Sequence, residues 1–328
     1  MTRPKPERWS TLDLVEAFQL GHAVSTLHDL NVLASLERPS TAEAVASRNG
    51  LDPSLVRGTL EYVAARTDLL RKTGATFRVT QGYSSHARFL LHLYGGAYRN
   101  NAIRLEEVMR KPSLAPFAVD RARHARAFEA AGGLSFLGLA TLIRQLQFNH
   151  VLDIGCGSGA LLVRLAADDP TFVGWGIELN PAMCRVARAR IRAERLGTQV
   201  KVFEGDSRRL RAVLPSDVRA NVQAVTACQV ANEMFGAGQS RVVAWLRGIR
   251  KMLPGRPLLI MDYYGRLGSK TQGGDRETLL HDYVQLISGQ GIPPASMAQW
   301  RAIYTEAECR LAHVIEDRAT TRFVHIVV

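Results

Sequence analysis

The sequence predicts an α/β protein in two parts: a mainly helical N-terminal block and a C-terminal parallel sheet with helices on both faces. Three observations predict it. Up to about residue 85, short helical stretches are followed by one hairpin-like alternation. From about Asn149, short apolar runs alternate with helical stretches, the rhythm of successive strand–helix–strand units. The composition, 46% hydrophobic and 22% charged over 328 residues, is that of a globular chain long enough for more than one core. The boundaries fall at 1–85, 86–148 and 149–328, the middle segment reading as mainly helical.

In the first block, "TLDLVEAFQLGHAVSTLHDLNVLASL" reads as helix. In "STAEAVASRNG", Ser40 and Glu43 have capping-box spacing and Gly50 closes the helix. Asp52 and Pro53 open a third helix, with Leu55, Leu60 and Val63 expected on its apolar face. "LLRKTGATFRVT" then alternates around Gly74 as a small hairpin. Helix, helix, helix, hairpin is the order of a winged helix. In the last block the strands read as "HVLDI", "FVGWGIEL", "VKVFEGD", "VQAVTAC", "PLLIMDYY" and "RFVHIVV".

Composition also excludes function classes. No apolar run reaches the roughly 18 to 20 residues of a membrane span, and "MTRPKPERWS" has no signal-peptide core, so a cytoplasmic protein is expected. Four cysteines have neither metal-ligand spacing nor disulfide-scaffold density. The net charge of +12 raises nucleic acid as a partner. Its arginines are scattered, however, and the one dense run, "RVARARIRAERLG", is spaced around a helix as a solvated face would be.

The stretch "VLDIGCGSGALL" carries the chemistry. Gly155, Gly157 and Gly159 are spaced G-x-G-x-G rather than G-x-G-x-x-G, and Asp153 precedes them. A carboxylate beside the turn suits a ligand with a cation there better than a pyrophosphate. Glu178 ends the second strand, placed to accept from both hydroxyls of a ribose, and Asp206 ends the third, where it can accept from an adenine amino group. One nucleoside, no phosphate and a cationic tail describe S-adenosylmethionine.

"VLDIGCGSG", "GIELNP" and "FEGD" resemble the consecutive cofactor motifs of class I S-adenosylmethionine-dependent methyltransferases. The resemblance covers roughly residues 149–328 and implies a Rossmann-like seven-stranded sheet. The N-terminal block resembles the winged-helix dimerisation domain of small-molecule, natural-product O-methyltransferases, implying a homodimer that acts on a small-molecule acceptor. Carried over, Asp153, Gly155, Gly157 and Gly159 surround the methionine part, Glu178 binds the ribose, and Asp206 with Ser207 binds the adenine. Cys228 and Gln229 line the wall beside the transferred methyl, and Cys156 is a small filler.

The O-methyltransferase relatives often carry a histidine base just after the fourth strand. Here the segment is "ACQVANEMFGAGQS", without one. Glu233 is the first candidate for a base or substrate-orienting carboxylate, against a role as a loop cap or arginine partner. Asn232 is a candidate for orienting the acceptor. His281, in "RETLLHDYVQLISGQG", is a second candidate against a structural role. Some carbon-methylating relatives hold a metal with histidines from these regions, but no metal site is assigned here. Tyr94, Tyr98, Tyr263, Tyr264 and Tyr283 are candidates for walling an acceptor pocket. Two other readings remain. One is a nucleic-acid methyltransferase, although neither D/N-P-P-Y nor a Pro-Cys nucleophile is present. The other is a winged-helix regulator that senses the cofactor.

Overall fold

A computed structural model describes residues 9–130, 137–269, 276–317 and 321–328. Residues 1–8, most of the stretch considered above as a leader, lie outside the described residues. The chain divides into two compact units, Met1–Gly96 and Ala97–Val328.

The first unit begins with a helix over Thr11–Asp29, opened by a capping box in which Ser10 and Asp13 satisfy each other's backbone N–H. Helices Ala42–Asn49 and Pro53–Arg66 follow. Strands β1 (Ser40–Thr41), β2 (Leu70–Thr73) and β3 (Thr76–Val79) pair antiparallel in the order β1-β3-β2, with Gly74 in the left-handed region at the β2–β3 turn. The expected helix–helix–helix–hairpin order is present.

Two local expectations are corrected. Thr41, not Ser40, caps the second helix, accepting from the Ala44 N–H, because the helix starts at Ala42; the Ser40 hydroxyl accepts from Arg48 instead. On the third helix Val56, Leu60 and Val63 are buried while Leu55 is 73% exposed. Leu55 lies five residues before Leu60, about 140° around the helix, so it cannot share that face.

The second unit opens with helices that include Arg99–Ile103, Leu105–Arg110, Arg121–Ala130 and Leu137–Gln145. Its sheet is built from β4 (His150–Ile154), β5 (Val173–Glu178), β6 (Val200–Glu204), β7 (Ala224–Cys228), β8 (Leu258–Tyr263), β9 (Leu311–Asp317) and β10 (Arg322–Val327). The order is β6-β5-β4-β7-β8-β10-β9. The first five run parallel, and β10 is antiparallel to both β8 and β9. The order reverses between β4 and β7, so the crevice where ligands settle in such sheets lies beyond their carboxyl ends. The seventh strand, β9, was not legible in the sequence. It is an edge strand with mostly exposed side chains, so it carries little apolar alternation.

Alternate residues of each central strand serve opposite cores. Leu152, Ile154, Leu258 and Ile260 pack with Trp245, Trp300 and Tyr304 on one face. Val151, Leu259 and Met261 pack with Leu162, Leu139 and Ile143 on the other. Burial on both faces explains why these strands read as continuous apolar runs. On the helix Pro181–Ala193, Arg185 and Arg192 are exposed, as expected of a solvated face. Arg188 instead donates to the Val202 carbonyl at 3.1 Å, and Arg190 reaches Ser158 Oγ at 3.0 Å.

Within the third helix, Leu60→Ala should destabilise the first unit by about 2–5 kcal/mol, the cost of a fully buried leucine side chain. Leu55→Ala should change stability by under about 0.5 kcal/mol. Urea unfolding of the two variants checks this, and equal midpoints would contradict the assigned face.

Candidate active site

Three acids stand at the ends of β4, β5 and β6 or just past them, each in a different environment. Asp153 is almost fully buried in β4, and its Oδ1 accepts from Thr226 Oγ1 of β7 at 2.7 Å. Burial pushes its carboxyl up to about 7, against the lowering effect of Thr226, with Glu178 raising it further. Glu178 closes β5. One of its oxygens accepts from the Asn180 N–H at 2.7 Å and the other from the Gly157 N–H at 3.0 Å. Loss of hydration raises its pKa while these backbone donors hold it down.

Asp206, beyond β6, is engaged locally. Its carboxylate forms an ion pair with Arg208 at 2.6 Å and accepts from the Arg208 N–H at 2.9 Å. The Arg208 guanidinium holds its pKa below the usual range. The neighbouring Ser207 Oγ accepts from Trp245 Nε1 at 3.1 Å.

Gly155, Gly157 and Gly159 all have positive φ, +65°, +55° and +71°. Any other residue there would be strained. At Gly155 a Cβ would also stand 2.4 Å from Val230 Cγ2, so that position admits no side chain. The backbone is tied to β5, with the Gly155 and Cys156 N–H groups donating to the Ile177 carbonyl at 2.8 and 3.1 Å. Cys156 is buried and its thiol is pushed well up by desolvation, which suits a filler.

Past β7, Cys228 is partly buried, and Gln229 takes a left-handed conformation (φ +52°) that is uncommon for a non-glycine residue. Its N–H donates to the Met261 carbonyl at 2.8 Å, which fixes the turn. Asn232 is fully buried; its N–H donates to Asp262 Oδ2 at 3.1 Å, and both polar atoms of its amide lack a partner among the described residues. Glu233 is solvent-accessible, yet surrounding protein pushes its carboxyl up to about 7, with Arg121 opposing and Glu178 adding to the rise. Water reaching this side chain limits the shift until a ligand fills the site.

This loop is wedged against a second one. The Gly236 N–H donates to the Gln290 carbonyl, and a Cβ at Gly236 would fall 1.9 Å from the Gly289 oxygen. From the same side, the Tyr98 hydroxyl donates to Gln290 Oε1 at 3.3 Å, and the Tyr98 ring meets His124 edge-on at 5.9 Å. His281 is partly buried and lies 3.1 Å from the Gln285 amide through Nε2, with the Tyr263 ring edge-on at 5.3 Å. Burial depresses its pKa to about 4, keeping the imidazole neutral.

The aromatic candidates separate. The Tyr263 hydroxyl donates to Asp282 Oδ1 at 3.0 Å and is held by that buried acid. Tyr264, the next residue, faces the opposite core, its hydroxyl between Glu316 at 2.5 Å and His325 at 3.2 Å. Consecutive strand residues point to opposite faces, so the pair cannot wall one pocket. Tyr283 is 40% exposed on the helix Arg276–Ile287, and Tyr94 belongs to the first unit, on the π-helical turn Leu93–Ala97.

Residues 151–253 match a family model described as a methyltransferase domain. The whole fold resembles solved structures at low identity. Mitomycin 7-O-methyltransferase MmcR is 18% identical with a TM-score of 0.75, covering 96% of each chain. PigF, solved with S-adenosylhomocysteine, is 17% identical with a TM-score of 0.73, covering 97% of this chain and 99% of its own. RosA of Streptomyces davawensis, an N,N-8-amino-8-demethyl-D-riboflavin dimethyltransferase, is 22% identical with a TM-score of 0.63 over 96% of each chain. Methyltransferase ungE' of Aspergillus campestris (strain IBT 28561) is 24% identical over 178 residues, 51% of this chain. The chain spans about half the length of that relative.

Around the methyltransferase domain, sequence reasoning missed Asp262, Arg121 and His124. Asp262, at the end of β8, is buried, accepts from the Asn232 and Tyr263 N–H groups, and is pushed up to about 7 by desolvation. A lone acid in the apolar run "LLIMDYY" was its signal. Among the described residues no three His, Cys, Asp or Glu side chains are grouped as metal ligands. No helix of the described residues is long and apolar enough to cross a membrane.

Proposed function

We propose that the chain is an S-adenosylmethionine-dependent methyltransferase acting on a small molecule of specialised metabolism. The observation that carries it is the pairing of Asp153 and Glu178 around a glycine turn at the switch point of the sheet. Only one Asp153 oxygen is engaged among the described residues, leaving the other for an ammonium group. Each Glu178 oxygen has one backbone donor and can accept again, from one ribose hydroxyl apiece. Asp206 and Ser207 flank the adenine end, and Cys228 and Gln229 form the wall beside the reacting centre. Bound there, S-adenosylmethionine supplies a methyl group on a sulfonium and is left as S-adenosylhomocysteine.

The protein's part is to position the acceptor and move its proton. Holding a nucleophile against an electrophilic carbon can supply much of the rate. Glu233, ionised, accepts the proton that an oxygen or nitrogen acceptor loses. The Asn232 amide, buried without partners, orients the acceptor, since leaving it unpaired costs about 1–3 kcal/mol. Neutral His281 and Tyr98 contribute polar edges. MmcR acts on an oxygen and RosA on an amine, so this fold leaves the acceptor atom open. A nucleic-acid substrate has less support, because the sequence carries neither D/N-P-P-Y after the fourth strand nor a Pro-Cys nucleophile. Four free thiols fit a reducing cytoplasm.

A homodimer through the first unit is part of the proposal. Leu12, Leu14, Val15 and Phe18 are each more than half exposed on the first helix, beside a 48% exposed Trp9. So contiguous an apolar face calls for a partner, and a second copy supplies the same face.

Calorimetry with S-adenosylhomocysteine should show Asp153→Ala and Glu178→Ala each weakening binding about tenfold or more, the worth of a charge-assisted hydrogen bond. Parent-like binding by both would sink the assignment. For Glu233→Gln, turnover should fall about 10²- to 10⁴-fold with cofactor affinity kept. The parent's kcat should rise with pH through about 7, where the base in the ligand-filled site loses its proton, and the variant should lack that limb. Light scattering should report a dimer for the parent and a monomer for Leu12→Glu/Phe18→Glu; a monomeric parent would contradict the interface.

A further inference from the structure

Arg121 is the first residue of the helix Arg121–Ala130 and is half-buried. Its charge acts on Glu178, Glu233, Tyr98 and His124, so one guanidinium stands within electrostatic reach of both the proposed cofactor carboxylate and the proposed base. The helix start is fixed beside Tyr98, since the Asp120 N–H donates to the Ala97 carbonyl at 2.8 Å. Arg121 and His124 are one turn apart on the same side, and His124 touches the Tyr98 ring.

The position is electrostatically costly. A cation in the first turn of a helix opposes the helix dipole. Asp120 does not compensate: its carboxylate accepts from the Ala122 and Arg123 N–H groups at 3.0 Å and pairs with the Arg123 guanidinium at 3.4 Å. Among the described residues Arg121 itself makes no hydrogen bond and no ion pair. A guanidinium withdrawn from water into an acid-rich site, yet bonded to none of those acids, is placed for an anion from outside. Close by, the Gln290 amide nitrogen is buried without a partner among the described residues while its oxygen is held by Tyr98 and Ser288, adding a second donor on that side.

We infer that Arg121 determines acceptor specificity by binding an anionic oxygen, so that the methyl acceptor is an organic acid: a carboxylate, or an ionised phenol or enol. The inference rests on the methyl-transfer reading for the role of the ligand as acceptor. The arrangement separates the two ends of such a molecule: the anion is held by Arg121 while the group to be methylated gives its proton to Glu233. Two acids and one fixed cation also disfavour a cationic acceptor held at Arg121 and a neutral one lacking a hydrogen-bond acceptor there.

Binding of three probes to the full-length protein, with and without saturating S-adenosylhomocysteine, tests this. The probes are 2-hydroxybenzoate (a carboxylate), 4-nitrophenol ionised in mildly alkaline buffer (a phenolate) and the neutral 2-hydroxybenzamide. At least one anion should bind about tenfold or more tightly than the amide, and Arg121→Gln should erase that preference. Which anion is preferred tells carboxylate from phenolate. Arg121→Lys should recover part of it, since a point charge replaces the fork. The unfolding midpoint of Arg121→Gln should not fall below the parent's. Equal binding of anions and amide by the parent, or a preference kept in Arg121→Gln, overturns the inference. So does a tenfold loss of S-adenosylhomocysteine affinity in Arg121→Gln, which would assign the guanidinium to the nucleoside ligand's own carboxylate. If the parent binds the anions but not S-adenosylhomocysteine, the methyl-transfer reading fails and Arg121 remains an anion site.

Discussion

The hydrogen bond from the Gly157 N–H to the Glu178 carboxylate organises the site. It joins the turn after β4 to the end of the neighbouring β5, beside the point between β4 and β7 where the sheet order reverses. Three left-handed glycines bring that N–H round to face the acid, and no side chain fits beside Val230 to open the turn. The acid is in turn kept from swinging by the Asn180 N–H on its other oxygen. A carboxylate with two backbone donors tolerates partial burial that an unpaired one would not. The rest of the crevice takes its positions from this clamp: Asp153 on one side, and the loop after β7 beyond it.

Around the clamp, acids and histidines titrate in opposite senses. Asp153 and Asp262 are each pushed up to about 7 by desolvation. Their native forms bind protons that the unfolded chain releases near its ordinary carboxylate range, so the stability tied to them is lost as pH rises through about 7. His124, His281 and His325 are depressed by burial to about 3, about 4 and about 4. They hold fewer protons than the unfolded chain below its histidine value of 6.5, so stability tied to them is lost as pH falls below that value. The two sets oppose each other on the acid side of neutrality, and above it only the carboxyls still titrate. A cationic ligand placed among the acids would favour their charged forms and reverse that loss.

The sheet was legible because its physics is local. Strands buried on both faces must be apolar throughout, and the acids that end β4 and β5 stand out against such runs. The glycine turn was legible because only glycine takes that backbone three times in five residues. Strand β9 was not, because an exposed edge imposes no pattern. Leu55 shares helical periodicity only loosely with Leu60, and Ser40 stands one residue too early because the helix starts at Ala42. Tyr263 and Tyr264 both lie at a strand's carboxyl end beside the crevice, but Tyr263 turns to Asp282 while Tyr264 packs into a core.

What stayed hidden is what distances in sequence conceal. Arg121 comes from a helix some thirty residues before the glycine turn, and its significance lies in lacking, among the described residues, the acidic partner that several other arginines find on a neighbouring turn. Arg104 and Arg110 pair with acids three or four residues away, and Arg164 with Asp168. Nothing in the composition separates Arg121 from these. The distinction appears only when the helix is docked beside Tyr98 and the loop after β7. The fold persists in structures 17–22% identical to this chain, so it tolerates replacement of most side chains. Selectivity therefore has to reside in the few polar groups that the helices before β4 and after β8 carry into the crevice, and among them the unpaired cation sets the sign of what can enter.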